Sequence, residues 1–487
     1  MASRAVSVSD RPPTLRLGQY VGYGAGDAAN NLTFSMASAF LLIYYTNVAG
    51  IPAAEAGTLF LVVRVLGGLT DLAAGRIADQ TATRWGKFRP YLLFGSVPLL
   101  ALLVAVFSIP HGLSPGWKLA WAYGSYVLFQ AAYSTVNIPY GSLAAAMTQR
   151  PSDRARLSTA RLIFTAAAIL VIAAVVSPEL SHAADLQRSL TVTVAIFAAV
   201  GVAIYTWCFA ATRETVQRDA ERFSVAATLR MLRHNRPLVI LCMSSVALYT
   251  GVFGAQTVGV YYAKDVLGDA NLFTVITVAQ TAGMVLAAVA VPKAAATAGK
   301  KAAYLVAGSL SVLAGAGIAL SPATIPALGI ACFGVLGLGT GSIIVMLYSM
   351  VADTVDYGEW MTGVRAEGLN YAVFSFTSKV GLGVGGAIAA YTLSIGGYAA
   401  NASVQSHSAL QSIRAAAGGL PCALVLLATA VMVAYPLTER AFRALIADVA
   451  QRRAVAARSP GRPGVAQFSP QSAGGGDDAG TPDGSEH

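Results

Sequence analysis

Apolar residues in this chain come in long unbroken runs, not in short alternating ones. Runs lie near 19–47, 55–78, 90–109, 119–146, 157–178 and 189–211, and again near 237–263, 270–292, 302–320, 324–351, 369–395 and 415–436. An α-helix needs about 20 apolar residues to cross a bilayer, so each run predicts one spanning helix. Membrane β-barrel strands are excluded, because they are shorter and alternate apolar with polar positions. Pro139 and the glycines inside these runs are compatible with spans, since neighbouring helices re-satisfy the backbone. The expected fold class is an all-α polytopic membrane protein with twelve transmembrane helices.

Composition agrees. Of 487 residues, 55% are hydrophobic and 11% are charged, against about 25% charged in soluble domains. A surface facing the lipid bilayer explains this, because a charge at a helix centre costs roughly 2.5–3.5 kcal/mol on insertion scales. The net charge of +10 is accounted for by loop lysines and arginines, so no nucleic-acid partner is expected. The four cysteines lie in or beside apolar runs without metal or disulfide spacing. With no metal set or nucleophile constellation either, neither an enzyme nor a cofactor is expected.

An even number of spans puts both termini on one side. Most of the 33 Lys and Arg residues fall there; only Lys118, Arg188, Lys264 and Arg414 fall opposite. The positive-inside rule then places both termini in the cytoplasm. No cleavable signal peptide is expected ahead of the first span.

The expected organisation has five parts. Residues 1–16 form a cytoplasmic segment and 17–211 a six-helix bundle. An Arg-rich cytoplasmic loop follows at 212–236, then a second six-helix bundle at 237–440. The tail at 441–487 turns rich in Gly, Pro, Ser and Asp and is expected to be disordered. The halves repeat weakly. Gly86-Lys87, Tyr91-Leu92 and Gly95 recur as Gly299-Lys300, Tyr304-Leu305 and Gly308, and Tyr44-Tyr45 before Gly50 recurs as Tyr261-Tyr262 before Gly268. Two parallel repeats imply a pseudo-twofold along the membrane normal, a central site near the midplane and alternating access by rocking. Carriage of a small polar solute is the function expected.

Ionisable residues inside spans are the first functional candidates, because lipid burial is costly. They are Asp27, Arg64, Asp71, Arg161 and Lys379. Arg64, Gly67 and Asp71 share one face of the second helix. Asp71 reads either as a carboxylate that binds a proton or cation, or as one end of a structural ion pair. Lys379 reads either as its neutralising partner or as a donor to a polar substrate. Asp27, Asn31 and Asn137 offer the donors and acceptors that hydroxyl-rich ligands need, whereas Asn30 reads as structural. Asp71, Gly75 and Asp79 run down a helix face toward Arg84 and Lys87, which reads as a cytoplasmic gate. Asp353, Asp356 and Glu359 before Arg365 form a similar gate after the tenth span.

Four segments carry a family resemblance: "GYGAGDAANN", "TDLAAGRIADQTATRWGKFRPY", "VNIPYGSLAAAM" and "VADTVDYGEWMTGVRAEGLNYAVFSFTSKVG". Over about 15–440 the chain resembles the glycoside–pentoside–hexuronide:cation symporters of the major facilitator superfamily, of which the melibiose permease is one. The resemblance implies cation-coupled symport of a sugar or glycoside in a bacterial inner membrane, by a monomer. It implies a sugar site at Asp27, Asn31, Asn137, Arg161 and Lys379. It implies a cation site at Asp71 with Thr70, Ser134 and Lys379. The family usually has two acidic residues one turn apart on the second helix, and this chain has Gly67 in place of the other. One carboxylate with two hydroxyls suits a proton better than sodium, so proton coupling is expected. Sodium coupling, or a lysolipid or amphiphile carrier on the same fold, are the alternatives.

Overall fold

The computed structural model describes residues 15–81, 83–148, 150–215, 235–362, 367–400, 402, 404–439, 441–445, 447–448 and 451. Most of the central loop, nearly all of the tail and Arg365 lie outside the described residues. Among the described residues, twelve helices cross the fold. In the first half they are α1 (Leu17–Ala49), α2 (Ala53–Gln80), α3 (Arg89–Val106), α4 (Pro115–Met147), α5 (Pro151–His182) and α6 (Leu186–Ala211). In the second half they are α7 (Arg236–Val266), α8 (Leu272–Ala298), α9 (Lys300–Leu320), α10 (Pro326–Thr362), α11 (Glu367–Ile395) and α12 (His407–Val433). Eleven pass a simple test of length and apolarity. The twelfth, α4, is 33 residues long. It falls short because it carries Gln130, Ser134, Thr135 and Asn137, which face protein and cavity instead of lipid.

Helix starts follow local chemistry. Asp185, Asn235 and Ser406 each accept a hydrogen bond from a first-turn backbone N–H, which satisfies groups a helix leaves orphaned. Proline opens α4 and α5, where its missing N–H costs nothing. α10 runs on to Thr362, so Asp353, Asp356 and Glu359 belong to it and do not form a loop after the span. At 37 residues it is about 55 Å long, and its polar end lies beyond the hydrocarbon layer.

The internal repeat is visible in the backbone. Gly50 and Gly268 have φ of 73° and 80°, and Gly86 and Gly299 have 110° and 83°. Each pair closes the corresponding turn in its half with a left-handed residue. The last turns of α1 and α7 are π-helical, at Tyr44–Ala49 and Tyr262–Val266.

The halves meet along a seam on the side away from the termini. There the Thr46 and Tyr261 hydroxyls are 2.8 Å apart, as are those of Thr58 and Tyr391. Asn47 donates to Tyr398 at 3.2 Å, and Thr274 donates to the Ala173 carbonyl at 2.9 Å. A Cβ on Gly57 would stand 3.0 Å from Ala390, so α2 and α11 pack through a small residue. Toward the terminal side, Tyr20–Asp153, Lys300–Asp353 and Asn235–Thr354 each stay within one half. Nothing stands within 4 Å of a Cβ built on Gly141. The described contacts between the halves given above thus gather on the side away from the termini.

Candidate functional site

Two buried ion pairs organise the centre. The first joins α1 to α5. Arg161 donates to Asp27 Oδ1 through Nε at 3.1 Å and Nη2 at 2.8 Å. Thr165, one turn along α5, donates its hydroxyl to the other Asp27 oxygen. Asn31, one turn along α1, donates to Thr165 at 3.1 Å. Tyr140 lies under the Arg161 guanidinium, 5.2 Å from its ring centre, and stacks on Tyr23. Asp27 is therefore fully satisfied within its own half, as a buried carboxylate must be. Asn30 accepts from Tyr205 at 2.7 Å and is buried, which is a structural role.

The second pair joins the halves: Lys379 of α11 reaches Asp71 of α2. The Thr70 and Ser134 hydroxyls lie 3.0 Å from each other, and each also has a carbonyl of its own helix at 3.0 Å, so one of the two donates to the other and the second to its carbonyl. They bond each other and not Asp71. A Cβ on Gly67 would meet Gln130 at 3.0 Å, so a neutral amide from α4 fills the space a longer residue at 67 would need. Among the described residues no group of three or more His, Cys, Asp or Glu is placed to hold a metal ion.

Asn137 and Gly141 share one face of α4. Asn137 is half-buried, and its amide has no hydrogen-bond partner among the described residues. Arg161 stays 38% exposed at its side chain.

The expected gates look different from the sequence reading. Arg84 is exposed and stacks 4.4 Å over Trp85, with no ion pair among the described residues. The backbone of Asp79 continues α2, but its side chain and Arg365 lie outside the described residues. Lys87 lies 5.4 Å over the Phe88 ring. The clamp at this turn is Glu214, which accepts from the backbone N–H groups of Lys87, Phe88 and Arg89 at 2.8, 2.8 and 3.0 Å. A carboxylate there matches the positive end of α3. Arg89 answers it by donating to the Phe209 carbonyl at the end of α6. Asp353 is bound by Lys300 at 2.7 Å, and Asp356 sits on the same helix end.

Sequence reasoning missed Thr165, Tyr140, Gln130, Glu214 and the Lys300 partner. Thr165 and Tyr140 had a signal, lying one turn from Arg161 and Asn137 on the same faces. Glu214 had none, because its partners are more than a hundred residues away.

Twelve spans in two six-helix halves around a polar centre define a carrier of the major facilitator superfamily. The chain belongs to its sugar-transport family: the profile described as "MFS/sugar transport protein" matches residues 22–439. It is 40% identical over 447 residues to the "Glucuronide carrier protein homolog" of Escherichia coli (strain K12), covering 89% of this chain and 96% of that one. It is 35% identical over 402 residues to the "Isoprimeverose transporter" of Lactiplantibacillus pentosus, covering 80% and 82%. The solved nucleoside transporter NupG shares the fold, with a TM-score of 0.62 at 12% identity over 86% of this chain and 100% of that one. The chain is a multi-pass membrane protein and a sugar or glycoside transporter, as its motifs implied.

Proposed function

We propose that the protein is a proton-coupled sugar or glycoside symporter working by alternating access, with both termini in the cytoplasm of a bacterial inner membrane. The observation that carries this reading is the Asp71–Lys379 pair, a single carboxylate held across the seam between the halves. A proton on Asp71 removes its charge, weakens its hold on Lys379 and lets α2 and α11 part. Sodium would need several oxygen ligands, and Thr70 and Ser134 bond each other instead. In this reading Asn137, Arg161 and Asn31 hold sugar hydroxyls, with Asp27 fixing the guanidinium. Lys379 becomes available to the sugar only when Asp71 is protonated. The positive side of the chain sets the orientation, and the monomer contains the whole pathway.

The relatives named for a glucuronide and for isoprimeverose support a sugar over an amphiphile. The test is uptake by proteoliposomes against a panel of glycosides, pentosides and hexuronates. Accumulation is expected when the lumen is alkaline, at any sodium gradient. Accumulation that follows sodium and ignores pH contradicts proton coupling.

A further inference from the structure

With the termini in the cytoplasm, the seam that joins the halves faces outward. It closes through a row of polar side chains. The Tyr261 and Thr46 hydroxyls are 2.8 Å apart, and Thr46 donates to Asn47 Oδ1 at 2.7 Å. Asn47 and Tyr398 bond each other at 3.2 and 3.3 Å. The Tyr261 and Tyr398 rings pack edge to face, with 5.1 Å between centres. Thr46 and Asn47 come from α1, Tyr261 from α7 and Tyr398 from the turn after α11, so the row crosses between the halves twice. Both α1 and α7 end here in π-helical turns, a rare geometry that often falls at functional sites.

Asp265 stands behind this row, one turn past Tyr261 on α7. Its carboxyl lies beside the Tyr398 hydroxyl and near Tyr261, and Lys264 on its own turn is the nearby cation. Neither central ion pair uses it. Its Oδ2 is buried without a hydrogen-bond partner among the described residues. A buried carboxylate oxygen is ordinarily bonded, and water taken from it without replacement costs free energy. Tyr398 cannot repair this without a loss elsewhere, since it has a single O–H. Donated to Asn47 Oδ1, as here, that hydrogen joins the halves. Turned to Asp265, it stays within its own half.

We infer that Asp265 is the release element of the outer gate: its carboxylate makes the closed seam less stable than a neutral side chain would, and so lets the carrier reopen outward. Closure strips Oδ2 of water, and opening returns it. Asp265 acts through Tyr398 and touches no substrate, so it is a positioning residue. This rests on the reading of the protein as an alternating-access carrier with cytoplasmic termini.

The test reads the gate from both sides with cysteine reporters in the full chain. Ser38→Cys lies two turns below Thr46 on α1, buried in a small cavity with Phe60, Tyr126 and Thr257. Gly141→Cys lies toward the terminal side, where nothing stands within 4 Å of a Cβ. Labelling by a membrane-impermeant maleimide is timed in right-side-out vesicles for the first and in inside-out vesicles for the second. The chain without either reporter gives the background of the native cysteines. Asp265→Asn is expected to slow labelling at Ser38→Cys at least ~fivefold, the low end for a buried unmet polar group. Labelling at Gly141→Cys should stay equal or quicken, and the thermal midpoint should match or exceed the parent's. Tyr398→Phe, which removes the contested O–H, should instead quicken labelling at Ser38→Cys. Unchanged or faster labelling at Ser38→Cys in Asp265→Asn overturns the inference. Faster labelling at both reporters with a lowered midpoint also overturns it, because Asp265 is then a structural support. No effect of Tyr398→Phe would show that the row is not the gate, with the same consequence. The carrier reading fails separately, if the parent takes up no sugar of the panel.

Discussion

The two ion pairs at the centre use the same chemistry for different ends. Asp27 and Arg161 belong to one half, lie one helix apart and are reinforced by Thr165 and Asn31. Rocking of the halves moves them together. Asp71 and Lys379 belong to opposite halves and have no such reinforcement from Thr70 or Ser134. Rocking must stretch them. A pair inside a rigid body shapes a binding surface; a pair across the moving seam reports on, and resists, the transition. On the proposed mechanism, the second pair is the one that links protonation to the rocking of the halves.

The largest expected effect comes from cutting the seam pair. Lys379→Ala leaves the Asp71 carboxylate in the seam without its cation. Removing one partner of a buried pair costs about 3–5 kcal/mol when burial is complete. Here the Lys379 side chain is 29% exposed, so about 1–3 kcal/mol is expected. Uptake should fall at least ~100-fold, measured as initial rate per reconstituted carrier.

Cutting the pair inside the half should weaken binding and spare coupling. Arg161→Gln is expected to raise the half-saturating sugar concentration about 10- to 100-fold, for a loss of about 1.4–3 kcal/mol. The residual transport should still carry the parental number of protons per sugar. A double-mutant cycle with Asp27→Asn should return a coupling energy of about 1–3 kcal/mol. A changed proton ratio in Arg161→Gln would erase the distinction between the pairs.

The smallest effect is expected at Gly67. The Gln130 side chain is flexible and has room to yield to a methyl group that would stand 3.0 Å away. Gly67→Ala should change uptake less than about threefold. A loss of tenfold or more would show that the Gly67 face takes part in coupling beyond Asp71.

How legible all this was depended on range. The twelve spans were written in local hydropathy, and the repeat in Gly50, Gly268, Gly86 and Gly299, whose positive φ follows from residue type. Asp27, Asp71, Arg161 and Lys379 stood out because charge is rare in lipid. The Asp71–Lys379 pairing was named as one of two options, and the sequence did not decide between it and a sugar contact, since Lys379 is over three hundred residues from Asp71. Helix rotation decides such contacts, and rotation is set by packing of distant spans. At the terminal-side turns, Arg84 lies over its neighbouring ring, Glu214 answers backbone groups and Asp353 pairs with Lys300.

Protons moved per sugar test the central claim most directly. Parent and Asp71→Asn proteoliposomes enclosing a pH-sensitive dye are given sugar without any imposed gradient. The account predicts that sugar entry acidifies the parent lumen, whereas Asp71→Asn exchanges sugar across the membrane with no proton movement. Parental acidification by Asp71→Asn would contradict it.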